Sequence, residues 1–175
     1  MERSRIVESI VVAVEEVFST MLDMQVERGE DYVVTTVPHP EEGVVALIGL
    51  AGAWAGTGSI ACAPGFACRM SSQMLMTEYA AVNDEVLDAV AEVTNMVMGN
   101  VKTRLEEILG PMGLSIPTVV YGRNFTTHTV KTDEWIVVPF LFEEYRMEVK
   151  LCMLPARQPA VRRGGFSAPV PVNAE

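Results

Sequence analysis

The sequence DEVLDAVAEVTNMVMGNVKTRLEEILG, residues 84–110, has the pattern of one long amphipathic helix. Asn83 is a favourable N-cap before it, and Gly110 followed by Pro111 ends it. Its apolar side chains recur at about 100° per residue, which is the angular period of an α-helix. They form one stripe: Leu87, Val90, Ala91, Thr94, Val97, Met98, Val101, Leu105 and Ile108. This stripe predicts the face of the helix that packs on the core.

A second stripe lies on the order of 120° around the same helix from the apolar centre. It consists of Asp88, Glu92, Asn95, Gly99, Lys102 and Glu106, and we call it the outward stripe. Carboxylates and amides are common on solvated helix faces. An interior Asn nevertheless disfavours a helix relative to Ala, and an interior Gly costs about 1 kcal/mol. Because the helix carries both Asn95 and Gly99 on one side, we expect an external group to approach it closely there. Val93 and Met96 are predicted to lie at the rim of that contact.

The composition bounds the class of protein. A chain of 175 residues is long enough for one domain with a core, and 49% of its residues are hydrophobic, including 11 Met. That richness favours a buried subunit interface as well as a core. The net charge of -10 argues against general nucleic-acid binding, because phosphate backbones need a basic surface, and it favours a protein partner.

The remaining composition signals concern location. No uncharged apolar run reaches the roughly 18 residues needed to span a bilayer, and the amphipathic start does not resemble a signal peptide. Three cysteines, Cys62, Cys68 and Cys152, are a sparse and odd set that fits a reducing cytoplasm. Cys62 and Cys68 with His128 match no usual zinc-ligand spacing. We therefore expect no membrane span, a cytoplasmic location and no metal.

Along the chain, the patterns predict helices at residues 4–22 and 64–76 besides the long one. The first helix should bury Val7, Ile10, Val14, Val17 and Met21. Strands are predicted at residues 31–38, 43–50, 53–62, 114–121, 126–130, 135–140 and 147–153. This order indicates an α+β domain at residues 1–154, in which helices cover one antiparallel sheet. Residues 155–175, rich in Pro and Arg without periodicity, are predicted to be a disordered tail.

A faint internal repeat accompanies this order. The first helix contains the sequence EVFS at residues 16–19, and the long helix contains EVTN at residues 92–95. Each helix is followed by strands. A duplicated half-domain with one degenerate copy would have this appearance.

The outward stripe limits the chemistry that it could perform. Without a neighbouring His or Ser, Glu92 and Asn95 are poorly suited to covalent catalysis. Two carboxylates and an amide could hold a divalent cation, although such sites usually draw ligands from more than one element. An amide can also donate one hydrogen bond and accept another, and so fix a water molecule. Phosphoryl transfer with a loose transition state requires mainly such positioning.

The residues now carry a specific resemblance. The pattern Asp88-x3-Glu92-x2-Asn95, followed by Pro117 within SIPTV at residues 115–119, resembles the signature of the CheC/CheX/FliY phosphatases of bacterial chemotaxis. The similarity is strongest to CheX. It extends to ALIGLAG at residues 46–52 with Gly56, NMVMGNVK at 95–102, VVPF at 137–140 and EVKL at 148–151. The first helix has Ser19 where the long helix has Asn95, so only one of the two helices matches the motif. A CheC-type protein would carry the motif in both helices, so this difference favours CheX.

This resemblance implies a phosphatase for the aspartyl phosphate of a CheY-like receiver domain. In the family the Asn places the hydrolytic water and the Glu pairs with the receiver's active-site lysine, which here are Asn95 and Glu92. Asp88, Met96 and Gly99 would contact the partner. The resemblance also implies a homodimer without a cofactor of its own, since Mg²⁺ belongs to the receiver. The alternative is a non-catalytic adaptor that binds a receiver or a flagellar-switch component.

Overall fold

The structure is a computed structural model that describes residues 3–35, 42–123, 125 and 134–156. Within these residues the chain forms three helices, α1 (Arg3–Met21), α2 (Pro64–Leu75) and α3 (Asp84–Leu109). The strands are β1 (Glu27–Arg28), β2 (Tyr32–Val34), β3 (Glu42–Gly52), β4 (Trp54–Cys62), β5 (Met112–Leu114), β6 (Thr118–Arg123), β7 (Trp135–Phe142) and β8 (Tyr145–Pro155). The predicted α+β class is confirmed, with α1 and α3 as the two long helices.

All pairs of described strands are antiparallel. The sheet runs in the order β1-β7-β8-β4-β3-β5, with β2 also pairing with β7 and β6 also pairing with β3. At one edge the short strands β1 and β2 lie end to end along β7. At the other edge β5 and β6 lie end to end along β3. The sheet is therefore symmetrical in its order, with two long hairpins in the centre and an interrupted strand at each edge.

The same succession of elements occurs twice along the chain. A long helix, two short edge strands and a long hairpin run from α1 to β4, and again from α3 to β8. Each pair of edge strands joins the hairpin of the other half, because β1 and β2 pair with β7 while β5 and β6 pair with β3. This reciprocal pairing supports the repeat suggested by the sequence. Helix α2 has no counterpart among the described elements of the second half.

The core lies between the helices and one face of the sheet. Along β8, Met147, Val149 and Leu151 are nearly inaccessible and alternate with residues that point to the opposite face. Phe66 of α2 stacks on Phe18 of α1, with ring centroids 6.3 Å apart. The rings of Phe142 and Tyr145 lie 6.0 and 5.6 Å from the ring of Phe66. One continuous apolar cluster thus holds all three helices on the same face.

Helix α3 sits close to the centre of the sheet. A Cβ built on Gly58 of β4 would lie 2.6 Å from the sulfur of Met98, which is fully buried on α3. Real atoms do not approach so closely, so a side chain at residue 58 would require the end of the Met98 side chain to move. Gly58 therefore leaves room for the thioether of Met98 between α3 and β4.

Several sequence predictions are refined by the structure. The strand predicted at 114–121 is divided into β5 and β6, because Pro117 lacks the N–H group that a continuous ladder needs. The strand predicted at 31–38 is described as β2, and residues 36–41 and 126–130 lie outside the described residues. Of the tail predicted at 155–175, Pro155 belongs to β8 and pairs with Trp54, and residues 157–175 lie outside the described residues. The prediction for Met21 is wrong, since 55% of its surface is exposed at the last turn of α1.

None of the helices in the described residues has the length and apolar content required to cross a membrane.

Candidate functional site

The long helix begins and ends as its sequence predicts. The side chain of Asn83 accepts a hydrogen bond from the backbone N–H of Val86 at 2.9 Å. At the other end Gly110 has a φ of 82°, and its N–H donates to the carbonyl of Glu106. A positive φ disfavours most side chains, so glycine suits this end. The resulting helix extends from Asp84 to Leu109, long enough to carry the whole outward stripe on one element.

The buried face of α3 is broader than the apolar stripe. Val86, Ala89 and Val93 are buried in addition to the central residues of the stripe, whereas 51% of Ile108 is exposed. The prediction that Val93 lies at the rim of an external contact is wrong, because only 1% of it is accessible. Helices α1 and α2 both pack on α3 in addition to the sheet, so more of α3 is covered than its apolar stripe.

The outward stripe lies where the periodicity places it. Asp88 and Glu92 are exposed, and Asn95, Met96 and Gly99 are partly exposed. A Cβ built on Gly99 meets nothing within 4 Å among the described residues, so none of them requires a glycine there. Met96 packs partly against the core.

The proposed pair is also free of internal partners within the described part of the chain. Neither Glu92 nor Asn95 has a hydrogen bond or ion pair there, and the same holds for Asp88. Residues three apart on a helix are neighbours, with Cβ atoms about 5–6 Å apart. A carboxylate and an amide thus stand side by side, accessible and available for an external ligand.

The C-terminal part of the stripe is occupied by internal contacts instead. The Nζ of Lys102 lies 2.8 Å from Oε2 of Glu106. The other oxygen of Glu106 accepts a hydrogen bond from the backbone N–H of Met112 at 2.7 Å. The hydrogen bond from Lys102 and that from Met112 hold the pKa of the Glu106 carboxyl below its usual range. This end of the stripe fastens α3 to β5.

The segment that contains Pro117 is fixed to the sheet next to α3. The Oγ of Ser115 accepts a hydrogen bond from the N–H of Gly49, and the N–H of Ser115 donates to the carbonyl of Gly49. The following residue, Ile116, is 87% exposed. Helix α3 packs against β3, β5 and β6, the strands on either side of this connection.

A groove beside the pair was not anticipated from the sequence. It has a volume of about 430 Å³ and lies between the end of α2 and the first turns of α3. Its lining consists of Met74, Leu75, Thr77, Tyr79, Glu85, Asp88, Ala89 and Glu92. The available signal was the apolar run MLM at residues 74–76, which follows the polar residues 71–73 and includes the last two residues of α2.

A hydrogen bond between Tyr79 and Glu85 lies on the acidic side of this groove. The hydroxyl of Tyr79 donates to Oε2 of Glu85 at 2.7 Å, and this hydrogen bond raises the pKa of the tyrosine. The carboxylate of Asp88 lies one turn further along the same helix.

The described residues contain no cluster of three or more His, Cys, Asp or Glu side chains that could hold a metal ion. Cys62 and Cys68 are buried free thiols, and burial raises the pKa of Cys62 to about 12, with a smaller contribution from Cys68. His128 lies outside the described residues.

Comparison with known proteins gives consistent matches. The family model for the chemotaxis phosphatase CheX matches residues 44–141, more than half of the chain. The CheY-P phosphatase CheX of Thermotoga maritima is 27% identical over 122 residues, which cover 69% of this chain and 78% of that protein.

Two solved structures extend the match to the whole fold. The chemotaxis protein CheX of Vibrio vulnificus has a TM-score of 0.74 at 26% identity, covering 85% of this chain and 99% of its own. The CheX chain in the CheX–CheY–BeF3–Mg²⁺ complex of Borrelia burgdorferi has a TM-score of 0.70 at 27% identity, with coverages of 83% and 96%.

Proposed function

The chain belongs to the CheX family of chemotaxis phosphatases, and from this membership we propose that it hydrolyses the aspartyl phosphate of a CheY-like receiver domain. The observation that carries the proposal is the accessible pair Glu92 and Asn95 on α3, without partners among the described residues and beside the open position of Gly99. The names of the relatives support it, since one is a CheY-P phosphatase and another is found in complex with CheY.

Asn95 is proposed to place the attacking water. Its amide oxygen accepts a hydrogen bond from the water, and its NH2 group is free to donate to the phosphoryl group. The oxygen of the water forms a bond to phosphorus while the bond from phosphorus to the aspartyl oxygen breaks. The products are a carboxylate on the receiver and inorganic phosphate, which takes up the proton of the water. An amide does not remove that proton, so its contribution is position.

Positioning is a sufficient contribution for this reaction. Phosphoryl transfer proceeds through a loose transition state, and the acyl phosphate already hydrolyses without a catalyst. One well-placed group is worth a rate gain of about 10² or more. No covalent intermediate on this chain is needed, and helix α3 carries no Ser, Cys or His beside Asn95.

Glu92 is proposed to orient the receiver. Its carboxylate would pair with the lysine next to the phosphorylated aspartate and so hold the phosphorus opposite the water fixed by Asn95. We further propose that Mg²⁺ is held by the receiver and that this chain has no cofactor of its own. An interaction of this kind contributes to binding and to alignment at once.

We propose a cytoplasmic homodimer as the working form. The supporting observations are the 11 methionines and the exposed hydrophobic side chains Met21, Val33, Leu141 and Leu154. The three free buried thiols suit a reducing compartment.

The test is a phosphate-release assay with receiver domains of the source organism, phosphorylated by a small-molecule phosphodonor. We expect one part of this protein to fifty parts of its cognate receiver to shorten the lifetime of the phosphorylated form. A non-catalytic adaptor would act at most in proportion to its own concentration. A lifetime that changes only at equimolar protein would therefore exclude the phosphatase and favour the adaptor.

A further inference from the structure

The groove between α2 and α3 has two chemically different walls. Met74 and Leu75 at the end of α2 form an apolar wall, and Glu85, Asp88 and Glu92 form an acidic wall along α3. Among the described residues, Glu85 is engaged by the hydroxyl of Tyr79, whereas Asp88 and Glu92 have no hydrogen bond or ion pair. The groove thus offers an apolar contact and two uncompensated carboxylates to an external molecule.

Met76 stands at the margin of this groove in a conformation that methionine does not favour. Its φ and ψ are 51° and 37°, in the left-handed region where glycine usually ends a helix. Its side chain is 95% exposed. Left-handed geometry is unfavourable for a residue other than glycine, and an exposed methionine recovers nothing by burial. Folding of the domain therefore does not explain this residue.

The segment around Met76 is held firmly. The backbone N–H groups of Met76 and Thr77 both donate to the carbonyl of Ser72, and the N–H of Tyr79 donates to the Oγ of Ser72 at 3.0 Å. The methionine is consequently held out from the surface by a defined turn. A preorganised apolar side chain of this kind is suited to binding, since little conformational freedom of the backbone is lost.

We propose that the groove and Met76 form a docking surface for the same receiver domain that is dephosphorylated at Asn95. This inference rests on the proposed function. It predicts that the docked segment of the receiver carries a basic side chain beside an apolar one. The basic group would meet Asp88, and the apolar group would lie between Met76 and Leu75.

Continuity with the proposed catalytic pair identifies the occupant. Glu92 belongs both to the groove and to the pair, and Glu85 lies seven residues earlier, roughly 10 Å along the helix axis. A domain of about 100 residues has a radius of gyration near 13 Å. A receiver whose phosphoryl group reaches Asn95 is therefore large enough to cover the neighbouring groove as well. No second partner is required.

The chemistry of the walls agrees with this occupant. Methionine adapts to varied apolar surfaces, so Met74 and Met76 can pack on a partner without a shape unique to one receiver. Exposed carboxylates contribute to the rate and orientation of association more than to affinity, and their effect falls with salt. The groove would then increase the population of correctly oriented encounters at Asn95.

Met76→Gly is the sharpest variant, because glycine relieves the left-handed backbone while it removes the side chain. We expect the melting temperature to stay equal or to rise. The KM for the phosphorylated receiver should increase about 5-fold to 10-fold with kcat within about twofold, in the range of one apolar interface contact. The Kd for the receiver activated with beryllofluoride should rise by the same factor.

Asp88→Asn tests the acidic wall. We expect an increase in Kd of about threefold at low ionic strength that disappears at high salt. The matched control is Ile108→Gln, an exposed hydrophobic residue in the last turn of α3, which lies 20 residues after Asp88 and roughly 30 Å from it along the helix axis. It should leave KM and Kd unchanged.

The outcomes separate the two proposals. If Met76→Gly and Asp88→Asn bind and react like the wild type while Asn95→Ala loses activity, the docking surface is overturned and the phosphatase stands. If the wild type binds the activated receiver without hydrolysing the phosphorylated form, the phosphatase is overturned and the ratios of Kd still decide the docking surface. If the wild type does neither with any receiver of the source organism, both proposals are overturned.

Discussion

Helices α1 and α3 occupy equivalent places in the two halves of the fold. Residues 16–19 of α1 are exposed, buried, buried and partly exposed in turn, and residues 92–95 of α3 repeat that pattern. Each helix is followed by two edge strands and a hairpin. Val17 and Phe18 point into the same core as Val93 and Thr94. The two helices are therefore alike where they face the protein.

They differ where they face solvent. In α1, Glu16 forms an ion pair with Arg104 at 3.3 Å, and the hydroxyl of Ser19 donates a hydrogen bond to the carbonyl of Glu15. In α3, Glu92 and Asn95 have no such contact among the described residues. Helix α1 ends at Met21, before a position equivalent to Gly99. The comparison shows that the two halves can share the same packing while their outward side chains make different contacts.

The largest effect is expected for a substitution in the proposed site on α3. Asn95→Ala removes the only amide of the proposed pair, and we expect the stimulated rate of dephosphorylation to fall about 100-fold or more, the value of a single positioning group. The Kd for the beryllofluoride-activated receiver should stay within about threefold. Stopped-flow measurement of receiver dephosphorylation and isothermal titration would give the two quantities.

Asn100→Ala is its matched control, because it removes an amide from the same helix, also at a partly exposed position, but away from the stripe. It should retain the wild-type rate. Wild-type activity in Asn95→Ala would contradict the mechanism.

A smaller loss is expected for the carboxylate. Glu92→Gln keeps the shape of the side chain but removes the charge proposed to pair with the receiver's lysine. We expect kcat/KM to fall about 10-fold, equivalent to about 1.4 kcal/mol, with both affinity and rate affected. Glu107→Gln, an exposed glutamate of the same helix, serves as the control. A variant at residue 92 that matched this control in steady-state kinetics would remove Glu92 from the site.

Gly99→Ala should have opposite effects on stability and on activity. Since the added Cβ meets nothing within 4 Å, the free energy of unfolding should increase by up to about 1 kcal/mol from helix propensity. If the receiver approaches the helix closely there, kcat/KM should fall about threefold. Urea denaturation and the dephosphorylation assay measure the two effects. A more stable variant with full activity would show that the partner does not come near residue 99.

The smallest effect is expected when the outward side chains of α3 are introduced into α1. Adding Ser19→Asn and Arg104→Ala to Asn95→Ala frees Glu16 and supplies α1 with an amide. We expect this triple variant to recover less than about twofold in rate over Asn95→Ala alone, because α1 ends too early and has Val12 where α3 has Asp88. Substantial recovery in the same assay would mean that the outward pair alone makes a site.

Periodicity predicted the parts of the fold that depend on local sequence. The stripe and the caps of α3 were evident, because an N-cap at Asn83 and a glycine with positive φ at Gly110 are local requirements. The long hairpin of β3 and β4 was likewise marked by β-branched residues. The outward position of Glu92 follows from the helical repeat, although its role and that of Asn95 stay predictions.

Features that depend on tertiary contacts could not be predicted in this way. Val93 is buried in the core cluster although it lies outside the apolar stripe, and only the tertiary packing of α3 reveals this. Strand β1 has only Glu27 and Arg28 and exists through its pairing with β7. The docking groove needs α2 and α3 side by side, so its two walls are separate in the sequence.

The contact of Met98 with Gly58 has a consequence for how a complex can form. Asn95 lies on the same rigid helix, less than one turn from a side chain that fills the space above the centre of the sheet. Moving helix α3 away from the sheet would withdraw the buried side chain of Met98 and leave a void there, which is unfavourable. Association should thus proceed by rigid-body docking on this side, with any hinge or loop adjustment made by the receiver.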